Sequence, residues 1–298
     1  MESAEDVRAS LSVASLADLR RHEATSRDGE ARIADILAAA RVLSWPLVVD
    51  DVSGLILDGS HRAVVLARDF GARYALVQRV RLDAPDVQVE TWCRVLEGVS
   101  GPDFDRARRA VGLEAGAHDG LRCHYGGRVY TRPGTSASEG HALAQALELL
   151  LESRGHRPRA HLVEEEAATA WLGAADVAVL RPPAVDKTTL RQRADGTLLP
   201  PKSTRFLLPY RVFGLSVPLG ALGGTHETLL GLLERERARP LLCLGAELAV
   251  DRRYPERLWQ FAGHRIPDRL FADEAGRQAY TDALARAARP IPSRASQG

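Results

Sequence analysis

The 298-residue sequence has no asparagine, a single methionine at position 1, and only two lysines, Lys187 and Lys202, among 40 Lys+Arg residues. Such usage places arginine wherever either cation serves. A lysine that persists then marks a position where a compact ammonium differs from a planar guanidinium. The three cysteines (Cys93, Cys123 and Cys243) lie far apart and form no CxxC pair. That spacing argues against a zinc site or disulfide framework and suits a reducing cytoplasm. No window approaches eighteen uninterrupted apolar residues, and the opening "MESAEDVRAS" is acidic, so neither a membrane span nor a secretion signal is expected. The net charge of +1 gives no broad basic field, so neither nucleic acid nor a membrane is an expected partner. What remains, 45% hydrophobic and 27% charged, is the composition of a globular chain with room for one large domain or two ordinary ones.

The pattern along the chain mixes strands and helices. Residues 1–15 read as a loose polar leader with a short apolar run, and "SLADLRRHEAT" as a strand or turn entering a polar loop with His22 and Glu23. Ile33, Ile36, Leu37 and Ala40 at helical spacing predict a helix over 29–41. "WPLVVDD" and "GLILDG" read as strands, "HRAVVLARDFGA" as a helix stopped by Gly71, and "YALVQRVRL" and "VQVETWCRVL" as further strands. Beyond residue 97 come a helical stretch, a hairpin at "CHYGGRVYT", and the helix "GHALAQALELLLESRG" ending at Gly155. Next come a strand–helix–strand run to Pro183 and a short helix capped by Asp186. Two further helices flank the strand "PLLCLGAEL" near the end, and residues 288–298 read as a disordered tail. The expected division is 1–97 and 98–298.

"LILDGSHRAVVLARDFG" holds the chemistry. A strand that ends in Asp58-Gly59 and hands over to a helix whose first turn is Ser60-His61-Arg62 makes an anion site. The first backbone N–H groups of a helix lack partners, and its dipole adds positive charge there. Gly59 permits close approach. Asp58 would repel a bare phosphate unless Mg²⁺ lies between them or the carboxylate positions a hydroxyl. Taken alone, the five residues favour a plainer reading, a capped helix with Asp58 in a turn and Arg62 in a surface ion pair. Far along the chain, "PPKSTRF" sets Lys202, Ser203, Thr204 and Arg205 on a donor-rich bend entered through two prolines. Acidic "VEEEA" (Val163–Ala167) reads as a helix face rather than a metal site, and Cys123–His124 does not make a convincing metal pair.

Over roughly the first 95 residues the chain resembles the ParB/sulfiredoxin superfamily. Sulfiredoxins carry a cysteine where this chain has Ser60. ParB partition proteins carry a Gly-Glu-Arg-Arg box, an asparagine-containing box and a helix-turn-helix, none of which is found here. The free serine kinases of the same superfamily carry a His-Glu loop, an Asp-Gly-His-His-Arg turn and a distant "PPK(T/S)TRH" segment. This sequence has "RRHEAT", "DGSHR" and "PPKSTRF" in that order. The resemblance implies a mixed α/β protein with a ParB/sulfiredoxin-like N-terminal core, a mixed α/β C-terminal domain and an active site in the cleft between them.

It further implies a kinase acting on the hydroxyl of a free amino acid, L-serine first, with ATP or ADP and Mg²⁺. Glu23 matches the catalytic base, Asp58 the aspartate serving Mg²⁺ and the reacting phosphates, and Gly59, Ser60, His61 and Arg62 the phosphate cradle. Lys202, Ser203, Thr204 and Arg205 fall on the substrate and phosphate bend. Trp92 matches an aromatic lining the pocket, and reads equally as a core tryptophan at a strand end. His22 reads as a loop-packing residue. Ser60 and Phe206 depart from the family's histidines, which leaves open threonine, homoserine or a pathway intermediate as acceptor. A ParB-like nucleotide- or DNA-binding regulator is the alternative from another class.

Overall fold

The computed structural model describes residues 2–152, 159–192, 198–246, 248–249, 253–266, 271 and 273–287. It divides into two compact units that interleave along the chain: Met1–Arg20, Arg27–Val87 and Leu207–Gly298 form one, Arg21–Ser26 and Gln88–Phe206 the other. A single boundary at residue 97 therefore differs from the observed division. Strand Cys93–Glu97 hydrogen-bonds to Arg159–Val163 and Val177–Arg181, which ties it to segments far downstream. Strand Tyr210–Phe213 returns to the unit built by the N-terminal residues.

The first unit is organised on a five-stranded sheet in the order Leu11–Ser15, Tyr74–Val80, Leu47–Asp50, Leu55–Asp58, Arg20–Arg21. The expected loose leader is instead a short helix, Ala4–Ala9, capped by Ser3, followed by the edge strand Leu11–Ser15 running antiparallel to Tyr74–Val80. Val7 and Leu11 are fully buried, and that burial orders the segment. The apolar runs Leu47–Asp50 and Leu55–Asp58 form the two expected strands, and they pair antiparallel. Asp50 closes their turn: one carboxylate oxygen accepts from the Ser53 amide and hydroxyl, the other from the Leu82 amide. Helix Arg27–Ala40 covers helix Ser60–Phe70. The latter ends, as its sequence predicts, at Gly71, whose φ of 60° suits a left-handed C-cap. A second sheet in this unit sets Arg257–Phe261 between Tyr210–Phe213, parallel, and Leu241–Gly245, antiparallel.

The other unit carries a six-stranded sheet whose pairs are all antiparallel, including the hairpin Arg122–Tyr125 with Arg128–Thr131. Helices Gly101–Ala110 and Ala137–Glu152 pack on one face through Phe104, Ala107, Ala144, Leu147 and Leu151. The expected strand "VQVETWCRVL" is broken at Trp92 into Gln88–Thr91 and Cys93–Glu97, and the first half pairs with Thr204–Leu207. Asp186 caps helix Lys187–Gln192, accepting from the Thr189 amide at 2.8 Å. Gly155 and residues 288–298 lie outside the described residues. Among those described, no helix is long and apolar enough to cross a membrane.

Candidate functional site

The expected site residues fall into two clusters, one in each unit. In the first, strand Leu55–Asp58 delivers Asp58 to the start of helix Ser60–Phe70. Gly59 is the N-cap at φ 101°, ψ 21°. A Cβ there would stand 2.7 Å from Leu47 Cδ2 and 2.9 Å from Arg62 Nη2. The conformation favours glycine, and a larger residue would have to displace the Leu47 and Arg62 side chains. Arg62 folds back over the turn, with Nη1 donating to the Trp45 carbonyl at 3.2 Å and Nη2 to Asp58 Oδ2 at 3.4 Å. Ser60 and His61 occupy the first helical turn, half-buried.

Two residues that the sequence reading did not single out complete this cluster. Arg211 Nη1 donates to Asp58 Oδ2 at 2.9 Å, while Arg211 Nε donates to Glu256 Oε1 at 2.8 Å. Arg211 and Glu256 are both buried. Gln78 fixes the backbone on either side of Arg211: its Nε2 donates to the Tyr210 carbonyl and its Oε1 accepts from the Val212 amide. The sequence did carry a signal, since an arginine inside the apolar strand "YRVF" must meet a counter-ion when buried.

In the other unit a short parallel bridge sets the His22–Ala24 segment beside Leu199. The Leu199 amide donates to the His22 carbonyl and the Ala24 amide to the Leu199 carbonyl, each at 2.8 Å. That register puts Glu23 against the bend after Pro200 and Pro201. Lys202 adopts φ 57°, rare for a side chain with a Cβ, and the resulting turn aims backbone N–H groups inward as an anion nest. The occupant is Glu23. Its Oε2 accepts from the Lys202 amide at 3.0 Å, and its Oε1 accepts from both the amide and the hydroxyl of Thr204. Burial raises the proton affinity of this carboxyl, but His22 and the two Thr204 donors outweigh it, so its pKa is held below the usual glutamate range. His22 is 2% exposed, with Nε2 2.7 Å from Thr204 Oγ1 and its ring edge-on to Phe206.

The rest of the bend is held firmly. Ser203 Oγ donates to the Pro200 carbonyl, and Thr91 Oγ1 donates to the Ser203 carbonyl. Buried Arg94 donates from Nη2 to the Pro201 carbonyl and pairs through Nε with Glu148. Arg205 is also buried: Nη1 meets Glu90 at 2.7 Å, Nη2 meets Glu164 at 2.6 Å, and the guanidinium carbon lies 5.3 Å from the centre of the Trp92 ring. Trp92 is half-buried beside that pair. The Lys202 side chain is exposed. Chemically, one cluster offers a helix start with an acid–arginine pair, and the other an ionised carboxylate beside a rigid, donor-rich turn.

No protein-family model matches the sequence, and no curated protein sequence matches it. Solved structures do resemble it. SbnI with a C-terminal truncation, from Staphylococcus aureus, aligns at a TM-score of 0.64 and 15% identity, over 76% of this chain and 96% of that one. A free serine kinase in complex with AMP aligns at 0.59 and 20% identity, over 72% and 93%. A mutant free serine kinase in complex with ADP aligns at 0.60 and 20% identity, over 72% and 94%. The chain thus shares the mixed α/β fold of SbnI and the free serine kinases.

Proposed function

We propose that the protein is a kinase that phosphorylates the hydroxyl of a free amino acid, L-serine first, yielding O-phospho-L-serine from ATP or ADP with Mg²⁺. One observation supports this reading above the rest. Glu23, the match to the family's base, is seated in the Lys202–Arg205 bend from the third motif, on a chain folded like proteins solved with ADP and AMP.

In this reading the start of helix Ser60–Phe70 binds the phosphates through its N–H groups, with Ser60, His61 and Arg62 as side-chain donors and Gly59 admitting close approach. Asp58 is the candidate ligand for Mg²⁺. Among the described residues no group of three or more acidic, histidine or cysteine side chains gathers to cage a metal. One carboxylate, with phosphates and water completing the shell, is how Mg²⁺ is usually held beside a nucleotide. An ion held by Asp58 would supply Lewis-acid stabilisation of charge on the transferring phosphoryl group. Lys202, Ser203, Thr204 and Arg205 form the substrate side, with Trp92 lining it.

Glu23 Oε2 accepts one hydrogen bond and retains a lone pair for the acceptor's hydroxyl proton. As that proton moves to Glu23, the serine oxygen bonds to the terminal phosphorus and the bridging P–O bond breaks. ATP then leaves as ADP, or ADP as AMP. A base of lowered pKa suits this step, because phosphoryl transfer with a loose transition state depends more on the placement of the base than on its strength.

The test is to incubate the protein with Mg-ATP or Mg-ADP and each hydroxy-amino acid, and to read both products by mass spectrometry. Phosphoserine with a matching ADP or AMP supports the proposal. Phosphothreonine or phosphohomoserine alone moves the acceptor, as the Ser60 and Phe206 departures allow. No phosphorylated amino acid, together with salt-dependent DNA binding, would favour the regulator.

A further inference from the structure

We infer that His22 and Thr204 form a positioning pair for Glu23, an inference that rests on the kinase reading above and deepens it. By sequence, Thr204 belongs to the substrate bend and His22 to loop packing. The geometry points elsewhere. Thr204 directs both its amide and its hydroxyl at Glu23 Oε1. A carboxylate can only accept, so the Thr204 hydroxyl must donate to it, and the proton between Thr204 Oγ1 and His22 Nε2 must belong to the imidazole. His22 is therefore the Nε2–H tautomer in a directed chain, His22 to Thr204 to Glu23.

Two further observations agree with that assignment. His22 Nδ1 is buried and has no hydrogen-bond partner among the described residues, as a bare lone pair tolerates better than an N–H would. The imidazole is also locked from the side by Phe206, with ring centroids 5.4 Å apart and planes 89° apart. The hydroxyl rotor of Thr204, which would otherwise turn freely, then has one orientation. Its single proton is committed to Glu23, so it cannot also be donated to a ligand. What it supplies is a fixed carboxylate whose other oxygen, Oε2, lies off the chain of donors with spare acceptor capacity.

The same contacts set when Glu23 is ionised. Among the described residues, the charged or titratable groups facing it are His22 on its own segment and Arg94 from strand Cys93–Glu97. Behind Arg94 stands Glu148 of helix Ala137–Glu152, which also feels Lys202 of the bend. Thr204 hydrogen-bonds the Glu23 side chain and His22 Nε2 stands 3.4 Å from Glu23 Oε1, and both favour its ionised form. Removing either raises the pKa of Glu23, and a base that must be ionised then begins to fail at a higher pH. The acid limb of the rate profile should move upward, by roughly one pH unit for a lost hydrogen bond to a charged group.

The experiment compares Thr204→Val, Thr204→Ser and His22→Phe with wild type, in full-length protein, by pH profiles of kcat and kcat/KM. The same proteins, with ¹³C-labelled glutamate, are titrated by NMR, using Glu23→Gln to assign the Glu23 signal. Thr204→Val and His22→Phe should lower kcat at least about tenfold by loosening the base, leave nucleotide KM near wild type, and move both the acid limb and the Glu23 titration upward. Thr204→Ser, which keeps the hydroxyl, should restore both. An acid limb that disappears in His22→Phe but stays in place in Thr204→Val would mean that His22 itself is the titrating group, and would overturn the inference. So would a Glu23 titration unmoved in both variants. The NMR arm needs no turnover, so a wild-type protein inactive on every amino acid would sink the kinase reading while the titration still decides the pairing.

Discussion

Gly59→Ala is the sharpest probe of the proposed phosphate turn. Gly59 sits at φ 101°, and its new Cβ would lie 2.7 Å from Leu47 Cδ2, 2.9 Å from Arg62 Nη2 and 3.1 Å from Arg62 Nε. A side chain on the left-handed side of the φ range costs about 1–2 kcal/mol. Forcing a methyl into a filled space adds about 1–3 kcal/mol. The sum, roughly 2–5 kcal/mol, should appear as a lower urea midpoint at unchanged slope. Because Arg62 is one of the two groups in the way, the variant should also lose Arg62 from Asp58 and the Trp45 carbonyl, and bind ADP more weakly. Gly71→Ala is the matched control: Gly71 has φ 60°, with nothing within 4 Å of the Cβ position. It should incur only the backbone part and bind ADP as wild type does. Equal midpoint shifts in the two variants, or Gly59→Ala binding ADP normally, would refute the reasoning.

Glu23→Gln should abolish turnover while nucleotide still binds, read by mass spectrometry and calorimetry; a fully active variant removes Glu23 from the chemistry. The same substitution tests the carboxyl's ionisation. A pKa depressed by folding stabilises the native state above the unfolded-chain value of about 4.3 and ceases to do so as pH falls through the lower folded value. The stability gap between wild type and Glu23→Gln should therefore be full at neutral pH and shrink in acid, in urea titrations at stepped pH. Arg211→Met strands buried Glu256 and removes a partner of Asp58, at a cost of about 3–5 kcal/mol. The double variant Arg211→Met/Glu256→Met should recover most of that in the same assay, and a single variant as stable as wild type would show the pair to be dispensable.

Much of the candidate site was legible because its parts are local. The strand ending at Asp58, the glycine turn and the helix closed by Gly71 are a pattern of apolar run, breaker and amphipathic repeat within seventeen residues, and they fold as read. The bend at Lys202 was legible from its prolines, although its tight geometry, with Lys202 itself left-handed, was not. Residues 11–15 misled because "LSVAS" is too short to declare itself a strand; its partner Tyr74–Val80 lies some sixty residues on, and burial against that partner orders it.

What the sequence determined by itself was therefore the local elements, the anion-friendly helix start and the residue types needed for the proposed chemistry. Tertiary structure decided the rest. It interleaved the two units along the chain, because strand pairing between distant segments leaves no trace in linear composition. It gave Asp58 its partner Arg211 and gave Glu23 its seat between the Lys202 and Thr204 amides. Those roles come from buried charges and aligned donors, which acquire their strength only where folding has removed water and fixed the distance.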